Sequence, residues 1–172
     1  MAPELTKSDE MNIEEIPEVK ERLSRMAVYE TRYLERYLNS AEVSVSQETV
    51  YAFAAVMQGC RIPIAMFRLS PEVLKTLYKS DQTPVTDADP AAETAMQNLL
   101  LQYNPDDSYR PEETSTVEGI SGASWVMDGI DGTSEYVAGS PNWAVGLVRC
   151  EPAENGTVPV TAVIGMPARG EI

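Results

Sequence analysis

The stretch Ser124-Trp125-Val126-Met127-Asp128-Gly129-Ile130-Asp131-Gly132-Thr133 leaves few folding options. An apolar run ends on one carboxylate, a second follows three residues later, and Gly-Thr opens a short helical pattern through Val137. The order reads as buried strand, polar turn and helix start, which places two acids and free backbone N–H groups at one sheet edge. Carboxylates suit a divalent cation, and a helix start suits an anion. The pattern therefore points to metal-assisted phosphate chemistry. Asp and Gly also serve plain turns, and that reading stands beside the first. A calcium loop fits poorly, since its third position wants an oxygen ligand and here is Ile130.

Composition narrows the chemistry. The 172 residues allow one sizeable core. With 27 acids against 13 bases the net charge is −14, which disfavours binding to a nucleic acid duplex. The chain has no histidine, so serine-triad and zinc-hydrolase chemistry lack their usual parts. Carboxylates must carry any metal or proton work, and Mg²⁺ is the expected cofactor. Cys60 and Cys150 stand far apart and read as packed thiols of a reduced protein. No apolar run predicts a membrane span, and the acidic N-terminus resembles neither a secretion signal nor an import sequence, so the expected location is cytoplasmic.

Along the chain, a polar tail to about Asn12 precedes a helical stripe of Val19, Leu23, Met26, Tyr33, Tyr37 and Leu38, opened by Pro17 and interrupted at Glu30. It reads as a helix docked on the core, with a dimer arm as the alternative. Residues 1–45 form this extension and 46–172 the main α+β portion. Ser46 predicts a cap for a helix carrying Val50, Phe53, Ala54 and Met57, which Gly59 and Pro63 are expected to cut short. Ser70-Pro71-Glu72 predicts another helix reaching Tyr78. After the polar segment 79–89, Asp89-Pro90 predicts cap and first residue of a helix with Ala92, Ala95, Met96, Leu99 and Leu100. Two β-rich runs, Asn142 to Val148 and Val158 to Met166, flank the hairpin signal Asn155-Gly156.

Three separated pieces share one chemistry: Asp81 with Thr86, the pair Glu112-Glu113, and Asp128 with Asp131. Together they resemble the inositol monophosphatase superfamily of Mg²⁺-dependent, lithium-sensitive phosphatases. The segment 128–133 is similar to that family's Asp-Pro-(Ile/Leu)-Asp-Gly-Thr, and Pro111-Glu112-Glu113 to its Gly-Glu-Glu. Residues 139–145 and 165–171 resemble segments that follow. The form of 79–89 looks most like the 3′(2′),5′-bisphosphate nucleotidase branch.

The resemblance, over roughly 50–172, implies an α+β fold, the N-terminal part of the layered α/β sandwich of sugar and inositol phosphatases. It implies that Glu112, Asp128 and the Ile130 carbonyl hold one Mg²⁺, and that Asp128 and Asp131 contribute to a second. Asp81 and Thr133 position and deprotonate the attacking water, and the backbone of Gly132 and Thr133 holds the phosphate. The implied substrate is a small phosphorylated molecule: adenosine 3′,5′-bisphosphate first, inositol monophosphate as alternative. Gly129 in place of proline predicts a looser turn with weaker metal affinity, and Pro111 in place of glycine predicts a tilt of Glu112. The family's second half, with its Trp-Asp-x-Ala motif, has no counterpart before Ile172. Two expectations follow: a phosphatase completed by further chain, a homodimer or another partner, or a weakly active relative that works through protein association.

Overall fold

The computed structural model describes residues 12–24 and 46–171. The stripe positions Met26, Tyr33, Tyr37 and Leu38, and the interruption at Glu30, lie outside the described residues. A 3-10 turn at Ile13–Glu15 leads into helix α1 (17–24). Within it Val19 is completely buried and Leu23 packs beside it, so this part of the stripe docks on the core. Arg22 Nη1 donates to the carbonyls of Ala65 (3.1 Å) and Phe67 (2.8 Å), placing a cation at a helix C-terminus where the carbonyl dipoles favour one.

Helix α2 (Gln47–Met66) begins where Ser46 Oγ accepts the Thr49 amide at 3.2 Å. It runs through both Gly59 and Pro63, contrary to the expectation of an early stop. The reason is tertiary. A Cβ at Gly59 would lie 2.7 Å from Met96 Cγ and 3.2 Å from Val145 Cγ1, so the glycine admits close packing on helix α4 (Ala88–Tyr103) and the sheet. Pro63 keeps a working carbonyl, which accepts the Tyr136 hydroxyl and the Phe67 amide at 2.9 Å each. By length and hydropathy α2 could cross a membrane, yet most of it is buried inside this fold. The helix expected from Pro71 to Tyr78 is shorter, α3 (Pro71–Leu74). Lys75 adopts φ +46° and ends it, and strand β1 (Leu77–Tyr78) then pairs antiparallel with β2 (Pro84–Val85).

The main sheet has the order β3 (Ser108–Pro111), β4 (Ser124–Asp131), β5 (Ala144–Ala153), β6 (Gly156–Gly165). β3 and β4 are parallel and the other pairs antiparallel. The β5–β6 hairpin turns at Asn155-Gly156, with longer strands than the apolar runs alone predicted. Alternation decides the faces. Trp125, Met127, Val145 and Leu147 point into the core beneath α2 and α4, each burial contributing about 2 kcal/mol. Val126 and Ile164 lie on the opposite, exposed face. The fold is α+β, with two helices layered on a mixed sheet.

Candidate functional site

The site forms where β4 ends. Across β4 and β5, Asp128 pairs with Gly146 and Asp131 with Ala144, three steps on one strand against two on the other. This bulge swings the Asp128–Asp131 turn out of the regular ladder, and bulges commonly re-aim side chains in this way. Gly132 follows in the left-handed region (φ +83°, ψ +41°), a conformation that favours glycine, and caps helix α5 (Thr133–Val137). The buried Tyr136 hydroxyl on the Pro63 carbonyl ties α5 to α2. Tyr136, Phe67 and Trp143 stack into one aromatic cluster behind it.

A cleft of about 320 Å³ opens in front of this turn. Asp81, Glu112, Asp128, Ile130, Asp131, Gly132 and Thr133 all line it, together with Lys79, Asp89, Glu113 and Ser134. Three distant stretches of chain thus meet on one surface. Burial raises the Asp128 carboxyl to about 6, and the nearby charges of Glu112, Asp131 and Asp89 push the same way against the Ile130 amide that bonds it. Among the described residues no three carboxylates converge as a finished ligand set. A cation already stands among them. The Lys79 ammonium pairs with Glu112 at 3.1 Å and, more closely, with Glu113, and these bonds hold it protonated above the usual lysine range.

Asp81 is at the mouth of the cleft, but its carboxylate is taken up locally. Its Oδ1 accepts the Thr83 amide at 3.0 Å and the Thr83 hydroxyl at 2.6 Å, which keeps it below the usual aspartate range. Thr133, expected to act with Asp81 on one water, makes no hydrogen bond to that acid. Asp89 takes that place: Thr133 Oγ1 lies 3.2 Å from Asp89 Oδ1 and 2.9 Å from the Ile130 carbonyl. Asp89 is only 2% exposed, and burial raises its carboxyl against the bonds from Thr86. Its Oδ2 accepts both the Thr86 amide (2.8 Å) and the Thr86 hydroxyl (2.7 Å).

The acid three residues after a threonine bonds back to its amide, as one half of a capping box does, although the helix cap itself is Asp87. The pattern Thr86-Asp87-Ala88-Asp89 is visible in the sequence and would have turned attention from Asp81 to Asp89. A second missed acid is Glu93, one helical turn further on and completely buried. Asp89, Glu93, Met96 and Leu100 make one inward stripe of α4, so two acids at core positions were the signal.

Gly129 also has a different role from the looser turn expected of it. A Cβ there would sit 2.2 Å from the Asp89 carbonyl oxygen and 2.9 Å from its carbon. The missing side chain lets the start of α4 lie against the β4 turn, which brings Asp89 to Thr133.

The chain is similar to known proteins over much of its length. Over 117 residues the chain is 42% identical to a histidinol-phosphatase of Streptomyces coelicolor, covering 68% of this chain and 44% of that protein. A Nus factor SuhB of Pasteurella multocida is 36% identical over 75 residues, covering 43% and 28% respectively. Among solved structures, an IMPase of Thermotoga maritima aligns with a TM-score of 0.62 at 21% identity, over 72% of this chain and 46% of that one. The chain spans less than half the length of these relatives. Residues 44–172 match the inositol monophosphatase family, and the chain belongs to that family.

Proposed function

We propose that the cleft hydrolyses a small phosphate monoester with the help of Mg²⁺. The observation that carries this reading is the set of oxygen donors gathered on one cleft, with Asp128 held at a raised pKa by burial first and by the acids that face it second. Uncompensated carboxylates of this kind favour a hard divalent ion. Glu112, Asp128, Asp131 and the Ile130 carbonyl would hold it, with Glu112 exchanging Lys79 for the ion. When bound, such an ion neutralises phosphoryl oxygens and makes water a competent nucleophile at neutral pH.

The chain's own groups do the rest. The start of α5, at Gly132 and Thr133, receives the phosphate. The Thr133 hydroxyl, whose hydrogen is directed at Asp89 and the Ile130 carbonyl, orients a water by accepting a hydrogen bond from it. Asp89, an acid with a raised pKa inside the cleft, accepts that water's proton. Asp81 contributes negative charge at the rim.

The relative at 42% identity makes histidinol phosphate the first substrate to test. Inositol monophosphate is the second, and adenosine 3′,5′-bisphosphate, suggested by the form of residues 79–89, the third. The test is phosphate release from each, with and without millimolar Mg²⁺. Mg²⁺-dependent turnover of any one supports the reading, and the ranking of rates assigns the substrate. No release from all three, together with no calorimetric Mg²⁺ binding, refutes it in favour of protein association. Exposed Val126 and Ile164 on the open sheet face, with Val158 and Val160 on β6, favour that second reading.

A further inference from the structure

Glu93 lies on the inward stripe of α4, with no measurable exposure. Among the described residues no Lys or Arg lies within ion-pair distance of it. Its partners are donors on the segment that follows β3, Thr114 among them. Oε1 accepts the Glu112 amide at 2.8 Å and the Glu113 amide at 2.9 Å, and Oε2 accepts the Glu113 amide at 3.1 Å. Those two residues follow Pro111, the last rung of β3, which pairs with Met127 and has no N–H to give. The chain therefore leaves the sheet at Pro111 and is caught at once by a helix side chain, not by another strand.

We infer that Glu93 is a positioning residue for the cation site, setting Glu112 by gripping its peptide. The inference rests on the Mg²⁺ reading above. A carboxylate matches this task because it only accepts hydrogen bonds, whereas both incoming groups are donors. An amide in its place would keep Oε1 but turn an N–H toward one of them. The grip is also rigid. It joins α4, which carries Asp89, to the peptide that carries Glu112, so the two acids keep a common frame as the ion binds. Partners of this kind behind a metal ligand typically affect affinity about 10- to 100-fold.

The experiment uses the whole 172-residue chain and Mn²⁺ alone, its binding read from loss of the free-ion EPR signal. Amide exchange at Glu112 and Glu113 is followed by NMR without metal. Glu93→Gln is expected to weaken Mn²⁺ binding about tenfold and to speed exchange at both amides; Glu93→Ala is expected to do more of each. Asp107→Asn, at another buried multiply bonded acid remote from the cleft, serves as the stability control and should leave Mn²⁺ affinity within about twofold. If Glu93→Ala does not fold, Glu93→Gln decides alone. Parent-like Mn²⁺ affinity in Glu93→Gln overturns the inference, and so does a loss no larger than that of Asp107→Asn. A parent chain that binds no Mn²⁺ removes the cation reading and this one with it, whereas a binding parent with an unaffected Gln variant removes this one only.

Discussion

At one end of the β3–β4 pair, Asp107 accepts the Trp125 indole at 2.9 Å and the Ser121 hydroxyl at 2.6 Å, and pairs with Arg149 at 3.4 Å. Arg149 in turn lies over the Trp125 ring. At the other end, 128–131 presents Asp128 and Asp131 to Glu112 and Asp89, with Lys79 as the nearby cation. Both ends half-bury or bury acids, but only the first supplies enough donors. A buried charge without compensation is costly, so a fold that tolerates one does so where a ligand completes it. The contrast separates a structural acid from the acids of the proposed cation site.

The largest expected effect breaks the second end. Asp128→Asn should lower phosphate release at least about a thousandfold and abolish calorimetric Mg²⁺ binding, since it removes the most buried of the proposed carboxylate ligands. The same substitution should raise the Tm of the metal-free chain, because it relieves repulsion. Asp107→Asn inverts the pattern. It should cost about 3 kcal/mol in denaturant unfolding, having broken a buried pair, with Mg²⁺ affinity retained. A matching loss of metal binding in both variants would erase the distinction.

Gly129→Ala tests how the two acid-bearing segments meet. The new methyl must displace the Asp89 backbone, so unfolding should become easier by about 2 kcal/mol and turnover should fall with it. Restoring the family proline should likewise damage this chain.

The pH dependence is a subtler probe. Asp128 holds its proton up to about 6 in the fold, above the usual aspartate range. Its contribution therefore stabilises the metal-free fold at low pH and is lost as pH rises through about 6. Thermal melts should show that decline without Mg²⁺, and Asp128→Asn should flatten it. Below pH 6 the proton competes with the ion, and the calorimetric Kd for Mg²⁺ should rise about tenfold per pH unit. The smallest effect belongs to Lys79→Met. Freed of the ammonium, Glu112 should bind Mg²⁺ about threefold more tightly, with little change in Tm because the pair is partly exposed.

Much of the layout was legible in local signals. The Ser46 cap and the Asn155-Gly156 hairpin each depend on a few neighbouring residues, and each is where the pattern put it, whereas the strand expected to end at Asp128 runs on through a bulge to Asp131. What misled was context. Gly59 looks like a helix breaker until Met96 and Val145 are seen against it, and Pro63 until its carbonyl is found bonded to Tyr136 and Phe67. Asp89 looks like an ordinary cap until its carboxylate is followed to Thr86 on one oxygen and Thr133 on the other. Glu93 looks like a helix-surface acid until β3 is known to end beside it.

The sequence by itself determined the order of strand, acidic turn and helix start, and the all-oxygen chemistry of a chain without histidine. Those properties follow from side-chain type and short-range dihedral preference, which need no knowledge of distant neighbours. Only the tertiary structure decided which acid meets Thr133, which one grips the Glu112 peptide, and where Lys79 rests. Those choices depend on α4 settling across the β4 bulge, a contact set by the absent side chain of Gly129 and by shape, which no local spacing encodes.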